Sequence, residues 1–184
     1  MQRTAMLLVA WLGACHSPSK GASGVGKLDV RWTGREPGSI SAPATASWCA
    51  SRHMLEVRSI QGDTGLALAL YPAETLTAGV YRVVDPIRAE SLPPAASVAL
   101  RWLTSKVVQG FRGDGGTVRL ERSSSGQVSG KVSARARSVV DTQRLTISGS
   151  FRNVTLRSDP AECGHAVSSG GPNAAAEAED TSVH

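Results

Sequence analysis

The chain has 184 residues, a formal net charge of +5 and an apolar share of 41%, of which aromatic residues are only a small part. That length suits one domain with tails, and the supply of Gly, Ser, Thr and Val favours short strands and frequent turns over long helices. The basic residues, mostly Arg, are scattered singly, with no basic block and no basic helix interleaved with aromatics, so no nucleic-acid partner is expected.

In chain order, Met1-Gln2-Arg3-Thr4 carries one positive charge and precedes an almost unbroken apolar run from Ala5 to Ala14. A short charged segment, an apolar stretch of about ten residues and small residues at its end are the marks of an export signal. The run is too short to cross a ~30 Å hydrocarbon core as a helix. It closes on Leu12-Gly13-Ala14-Cys15, which resembles the lipobox of bacterial lipoproteins. The resemblance covers residues 1–15. It implies removal of residues 1–14, a diacylated Cys15 as the new N-terminus, and a stable membrane anchor, since two acyl chains hold where one is marginal. His16 stands where an inner-membrane retention signal would have Asp, so the outer membrane is favoured in a host that has one.

Residues 15–26 are Gly/Ser-rich and predict a flexible tether. Within them Gly21-Ala22-Ser23-Gly24-Val25-Gly26-Lys27 satisfies the GxxxxGK part of a phosphate-binding loop. Leu28 replaces the hydroxyl that would hold Mg²⁺, no strand precedes the loop and no helix follows it, so a chance match is expected. From Lys27 onward the hydrophobic period is two. Leu28, Val30 and Trp32 alternate with Lys27, Asp29 and Arg31; the same rhythm recurs at Leu55–Ser59, Leu66–Leu70 and Val98–Trp102. Thr117–Arg122 and Gln127–Arg137 around Ser123-Ser124-Ser125-Gly126 predict a hairpin, with Val118, Leu120, Val128, Val132 and Ala134 on one face. Leu145–Phe151 makes the last long strand, and a slip to Val154 and Leu156 predicts a bulge near Asn153. Turns are expected at Gly34–Gly38, Gln61–Asp63, Asp85-Pro86, Pro93-Pro94 and Gly113–Gly116, and a single helical turn near Ala73–Leu76. The fold class is therefore all-β: one antiparallel β-sandwich or closed β-barrel of about eight or nine strands over residues 27–165. Residues 166–184 are small and acidic and predict a disordered tail.

With Cys15 acylated, Cys49 and Cys163 remain, and in an exported chain an even pair predicts a disulfide; two buried free thiols are the alternative. No metal-ligand spacing, GxSxG or paired carboxylates stand out, and no cofactor or metal is expected. His53 is expected to be a surface or capping residue, and Gly113-Asp114-Gly115-Gly116 a turn lacking the further oxygen ligands of a Ca²⁺ loop. The chemistry that does stand out is cationic: Arg119, Lys131, Arg135 and Arg137 fall on the outward positions of the 117–137 hairpin, countered by Glu121. An ordinary solvated hairpin face is the simplest reading of these cations; because Arg suits bidentate contact with phosphate or carboxylate, an anionic envelope polymer, or another envelope protein, is the alternative they offer as a partner beyond the membrane itself. The leading function is a lipid-anchored binding or structural module that is not an enzyme. A small-molecule carrier barrel is the alternative, and an extracytoplasmic hydrolase comes third.

Overall fold

The structure, a computed structural model, describes residues 26–104, 107–122 and 126–158. Cys15, Cys163, the signal run, the tether ahead of Gly26 and the C-terminal tail lie outside the described residues, as do Ser123–Ser125 at the hairpin tip.

Nine strands close into one barrel: β1 (Lys27–Thr33), β2 (Gly38–Cys49), β3 (Met54–Gln61), β4 (Thr64–Tyr71), β5 (Gly79–Val83), β6 (Ala95–Leu103), β7 (Val108–Arg122), β8 (Gln127–Ser138) and β9 (Arg144–Arg157). Around the wall they run β1-β2-β3-β4-β6-β5-β7-β8-β9 and return to β1. Of the two architectures the sequence leaves open, the barrel is the one observed, and closure removes the unpaired edges that a sandwich would have to protect. The alternation read from the sequence sets the inside. Leu28, Val30 and Trp32 of β1, Leu55 and Val57 of β3, Leu66, Leu68 and Leu70 of β4, Val118 and Leu120 of β7 and Val132 and Ala134 of β8 are all buried in one cluster. Trp32, Trp102 and Phe111 continue it as a stack, with ring centroids 5.5 and 5.0 Å apart.

The hairpin of residues 117–137 forms as predicted, with Val118 opposite Val132. The bulge at the end of β9 is also present: the β8–β9 register shifts between Val128 and Gly130, and Asn153 has φ +53°. Three details differ from the sequence reading. Residues 73–76 are not helical; among the described residues the one α-turn is α1 (Pro86–Ala89), where Pro86 opens the helix and the Asp85 carboxylate caps it by accepting from the Ile87 N–H at 3.1 Å. Gly113-Asp114-Gly115-Gly116 is not a turn between elements. It is a bulge inside β7, where the register against β8 shifts between Gly113 and Gly115 and Gly116 takes φ +105°. The glycines permit a backbone that would break a strand of ordinary residues. Finally, β2 is a strand of twelve residues although its inward positions include Ala42, Ala44 and Ala46. Pro43 falls where β2 hands over from β1 to β3, so its missing N–H interrupts no continuous ladder.

The two mouths of the barrel differ. The β1–β2, β3–β4, β6–β7 and β8–β9 turns all lie at the first mouth. The chain enters at Gly26 and leaves after Arg157 at the second. There β9 runs beside β2 in parallel, with Ala46 paired to Leu156 and Ser47 to Arg157. A second, smaller cluster of Cys49, Met54, Tyr71 and Ala89 sits on the outer side of the wall beneath α1.

Candidate functional site

The inward positions are mostly aliphatic and aromatic, with Ser59, whose hydroxyl donates to the Pro43 carbonyl at 2.8 Å, and Gln109, whose Oε1 is buried without a partner, as polar exceptions; the cations lie on the outer wall. Along β7, β8, β9 and β1 the outward residues are mostly small hydroxyls and cations, with Glu121 and Asp29 among them. One row runs Ser39, Arg31, Ser148, Ser133, Thr117, Arg82 across β2, β1, β9, β8, β7 and β5, each opposite the next in register. The next row towards the second mouth places Ser150 of β9 opposite Lys131 of β8, and Lys131 opposite Arg119 of β7. Two residues nearer the first mouth than the hydroxyl row, Arg135 lies over Gly115, whose missing side chain makes room for the guanidinium.

The four cations expected to act together do not share one state. Arg119, Lys131 and Arg135 are exposed and have no ion pair among the described residues. Arg137 is committed elsewhere: its Nη2 donates to Asp85 Oδ2 at 2.6 Å, and that carboxylate also caps α1. The Arg137 hydrogen bond, aided by the Ile87 N–H, holds the Asp85 carboxyl below its ordinary value, against the opposing effect of desolvation. A neighbouring pair repeats the arrangement, with Arg144 Nη1 donating to Asp114 Oδ2 at 2.8 Å. Sequence reasoning missed Arg31 and Arg82, two further exposed cations with no ion pair among the described residues. Only the strand order brings them beside the hairpin.

Where β9 crosses β1, the backbones approach so closely that a Cβ on Gly149 would lie 2.2 Å from the Asp29 carbonyl oxygen. On the outer side of the same strands lies an open groove of about 390 Å³, lined by Asp29, Arg31, Ser39, Ser41 and Ser148 among others. Asp29 is the groove's carboxylate, and it is neutralised. Ser41 Oγ donates to it and Lys27 Nζ lies 3.0 Å away, which together hold its carboxyl below the ordinary value. Arg31 is left as the free charge of the groove.

The remaining candidates resolve simply. His53 is exposed at the end of a 3₁₀ turn, Ala50–Arg52, with φ +46°. Among the described residues no group of three or more His, Cys, Asp or Glu could hold a metal ion. Asp114 is bound to Arg144 rather than to a set of oxygens arranged for Ca²⁺. Cys49 is buried at the end of β2, with its sulfur 3.4 Å from Ser51 Oγ. No helix among the described residues is long and apolar enough to cross a membrane. No family model matches this chain, and no curated protein or solved structure matches it either.

Proposed function

We propose that this chain is an exported, lipid-anchored envelope protein whose β7–β8–β9–β1 wall binds an anionic polymer through Arg119, Lys131 and Arg135, flanked by Arg31 and Arg82. The observation that carries this reading is the direct opposition of Arg119 and Lys131 across the β7–β8 ladder. Their lateral neighbours in register are Val80 and Ser150, and the nearest carboxylate on this face, Glu121, lies one alternation step further along β7, opposite Ser129. Like charges placed opposite one another in a sheet destabilise it. A bound polyanion would turn that repulsion into attraction, and the adjacent hydroxyl row offers neutral hydrogen-bond partners to a glycan or phosphate chain. The filled interior favours such a wall over a carrier's internal cavity.

Dextran sulfate is a suitable soluble probe. Binding should weaken steeply with salt, because each cation engaged is exposed to screening. The R119E/K131E double variant should abolish binding while the far-ultraviolet circular dichroism stays that of the barrel. Unchanged binding in that variant overturns the reading. The anchor is tested separately in cells: labelled palmitate should enter the wild type and not C15A.

The same reading includes a Cys49–Cys163 disulfide. Its support is the return of β9 beside β2: Arg157 lies next to Ser47, two residues before Cys49. The short run from Arg157 to Cys163 reaches at most ~20 Å, enough to come back to Cys49.

A further inference from the structure

Cations stand directly opposite one another at four places in the ladders of the described residues: Lys27–Arg152, Arg112–Arg137, Arg137–Arg144 and Arg119–Lys131. Three of these repulsions are answered by an acid of the barrel. Asp29 stands between Lys27 and Arg152, with oxygens 3.0 and 3.9 Å from their nitrogens. Asp85 holds Arg137 at 2.6 Å and Asp114 holds Arg144 at 2.8 Å. The fourth pair is the exception. Arg119 and Lys131 are exposed, neither has an ion pair among the described residues, and Glu121 is one alternation step away.

The same chain carries carboxylates that the barrel does not use. Of its fifteen acidic residues, five (Asp159, Glu162, Glu177, Glu179 and Asp180) follow Arg157, where the sequence has no Lys or Arg. Three of them fall within Glu177-Ala178-Glu179-Asp180. These residues lie outside the described ones, so the inference concerns their charge and their reach. β9 ends at Arg157, and Ser150, seven residues earlier, stands opposite Lys131. Seven strand residues and two strand spacings put Arg119 ~25 Å from Arg157. Glu177 is twenty residues beyond Arg157, and a flexible linker of that length spans ~22–27 Å on average. Local concentration is greatest when the average span matches the distance to be bridged. Tying Cys163 to Cys49 leaves fourteen residues before Glu177, which extend to at most ~46–50 Å and still reach the pair.

We propose that the Glu177–Asp180 segment folds back onto Arg119 and Lys131, answering this pair as Asp29, Asp85 and Asp114 answer the others, and that an anionic polymer must displace it. The displacement rests on the reading of the wall as a polymer-binding surface; the contact does not. The test uses residues 16–184, which hold all nine strands and the acidic segment, and compares the wild type with E177Q/E179Q/D180N. In amide proton–nitrogen spectra the substitutions should shift residues 117–119 and 131–135. Those shifts should vanish in ~1 M salt, where charges are screened beyond ~3 Å, and should not occur when the same substitutions are made in R119E/K131E. Dextran sulfate should bind the triple variant more tightly by about threefold or more, the effect of removing a competitor held at millimolar local concentration. E36Q/D63N/E74Q removes the same charge from exposed turns and should leave the affinity near that of the wild type. Absence of shifts at the wall overturns the proposal, as do shifts that grow with protein concentration, which would assign the contact to a second copy. Equal tightening by the turn variant, or none by the triple variant, overturns the competition. Wall shifts in a protein that binds no dextran sulfate would uphold the contact and remove the polymer reading instead.

Discussion

Arg119 and Lys131 face each other across the β7–β8 ladder with no carboxylate in register beside them. Stability and binding therefore make opposite demands on this position. Lys131→Glu would place a carboxylate directly opposite Arg119, replacing a repulsive pair by an attractive one. Urea unfolding should show the variant more stable than the wild type by about 0.2–1 kcal/mol, the usual scale for an opposed charge pair on a sheet, while dextran sulfate binding falls. A variant that is less stable than the wild type would mean that Lys131 is held by something other than its place in the ladder.

The cross-link between Cys49 and Cys163 is a prediction about covalent state. Thiol titration of denatured protein purified without reductant should find neither cysteine free. Closing a loop of about a hundred residues is worth up to about 4.7 kcal/mol on the chain-entropy model, an upper figure. Cys163→Ser should therefore lower the urea midpoint clearly, and a reductant should do the same to the wild type. Two titratable thiols in the unreduced sample would remove this cross-link from the account.

The outcome for the fold follows from side-chain size. Strands whose inward positions carry Leu, Val, Ile or Phe are legible, because alternation of large apolar with polar residues buries one face of a strand and matches no face of a helix. β2 alternates Ala with Ser, Thr and Pro, so its inward face looks like a linker until β1, β3 and β9 are placed against it. β7 is half hidden for a related reason. Its first part contains Gly110 and the Gly113–Gly116 run, and local sequence cannot distinguish glycines that make a turn from glycines that let a strand bulge. For the candidate site, outward alternation correctly placed Arg119, Lys131 and Arg135 on the surface. Arg137 lost its freedom to Asp85, a carboxylate 52 positions earlier in the chain, and no local pattern carries that contact. Arg31 and Arg82 joined the wall by strand order alone.

Trp32, Trp102 and Phe111 come from three strands and stack towards the first mouth. Trp102 is the middle ring and is only half-buried. Trp102→Ala should cost about 2–3 kcal/mol, less than the ~3–5 kcal/mol of a fully buried aromatic, and should erase most of the near-ultraviolet signal of the stack. Because the backbone hydrogen bonds of the β6–β7 and β8–β9 turns involve Thr104, Val107 and Ser138 rather than this ring, hydrogen exchange should rise along the inner strands before it rises at those turns. Exchange rising first at the Thr104–Val107 turn would show that the turns depend on the stack.

Asp85 joins two parts of the molecule: one carboxylate oxygen caps α1 and the other accepts from Arg137 on β8. Arg137 is half exposed, so the pair is worth no more than about 1 kcal/mol at neutral pH. Its pH dependence has a definite sign. The folded carboxyl lies below its ordinary value of 3.8, so the folded state releases the proton more readily than the unfolded chain. The contribution is therefore present above the unfolded value, and it is lost as the pH falls through the folded one. Arg137→Gln should then be less stable than the wild type at pH 7, and the difference should narrow as the pH falls from 3.8 through the lower folded value, below which Asp85 is protonated in both proteins. In a carbon-detected titration the Asp85 carboxyl of Arg137→Gln should move up towards the ordinary value, held down only by the Ile87 N–H and the nearby Arg112. A stability difference that stays constant from pH 7 to pH 2 would mean that Arg137 acts through its packing on the barrel wall and not through this ion pair.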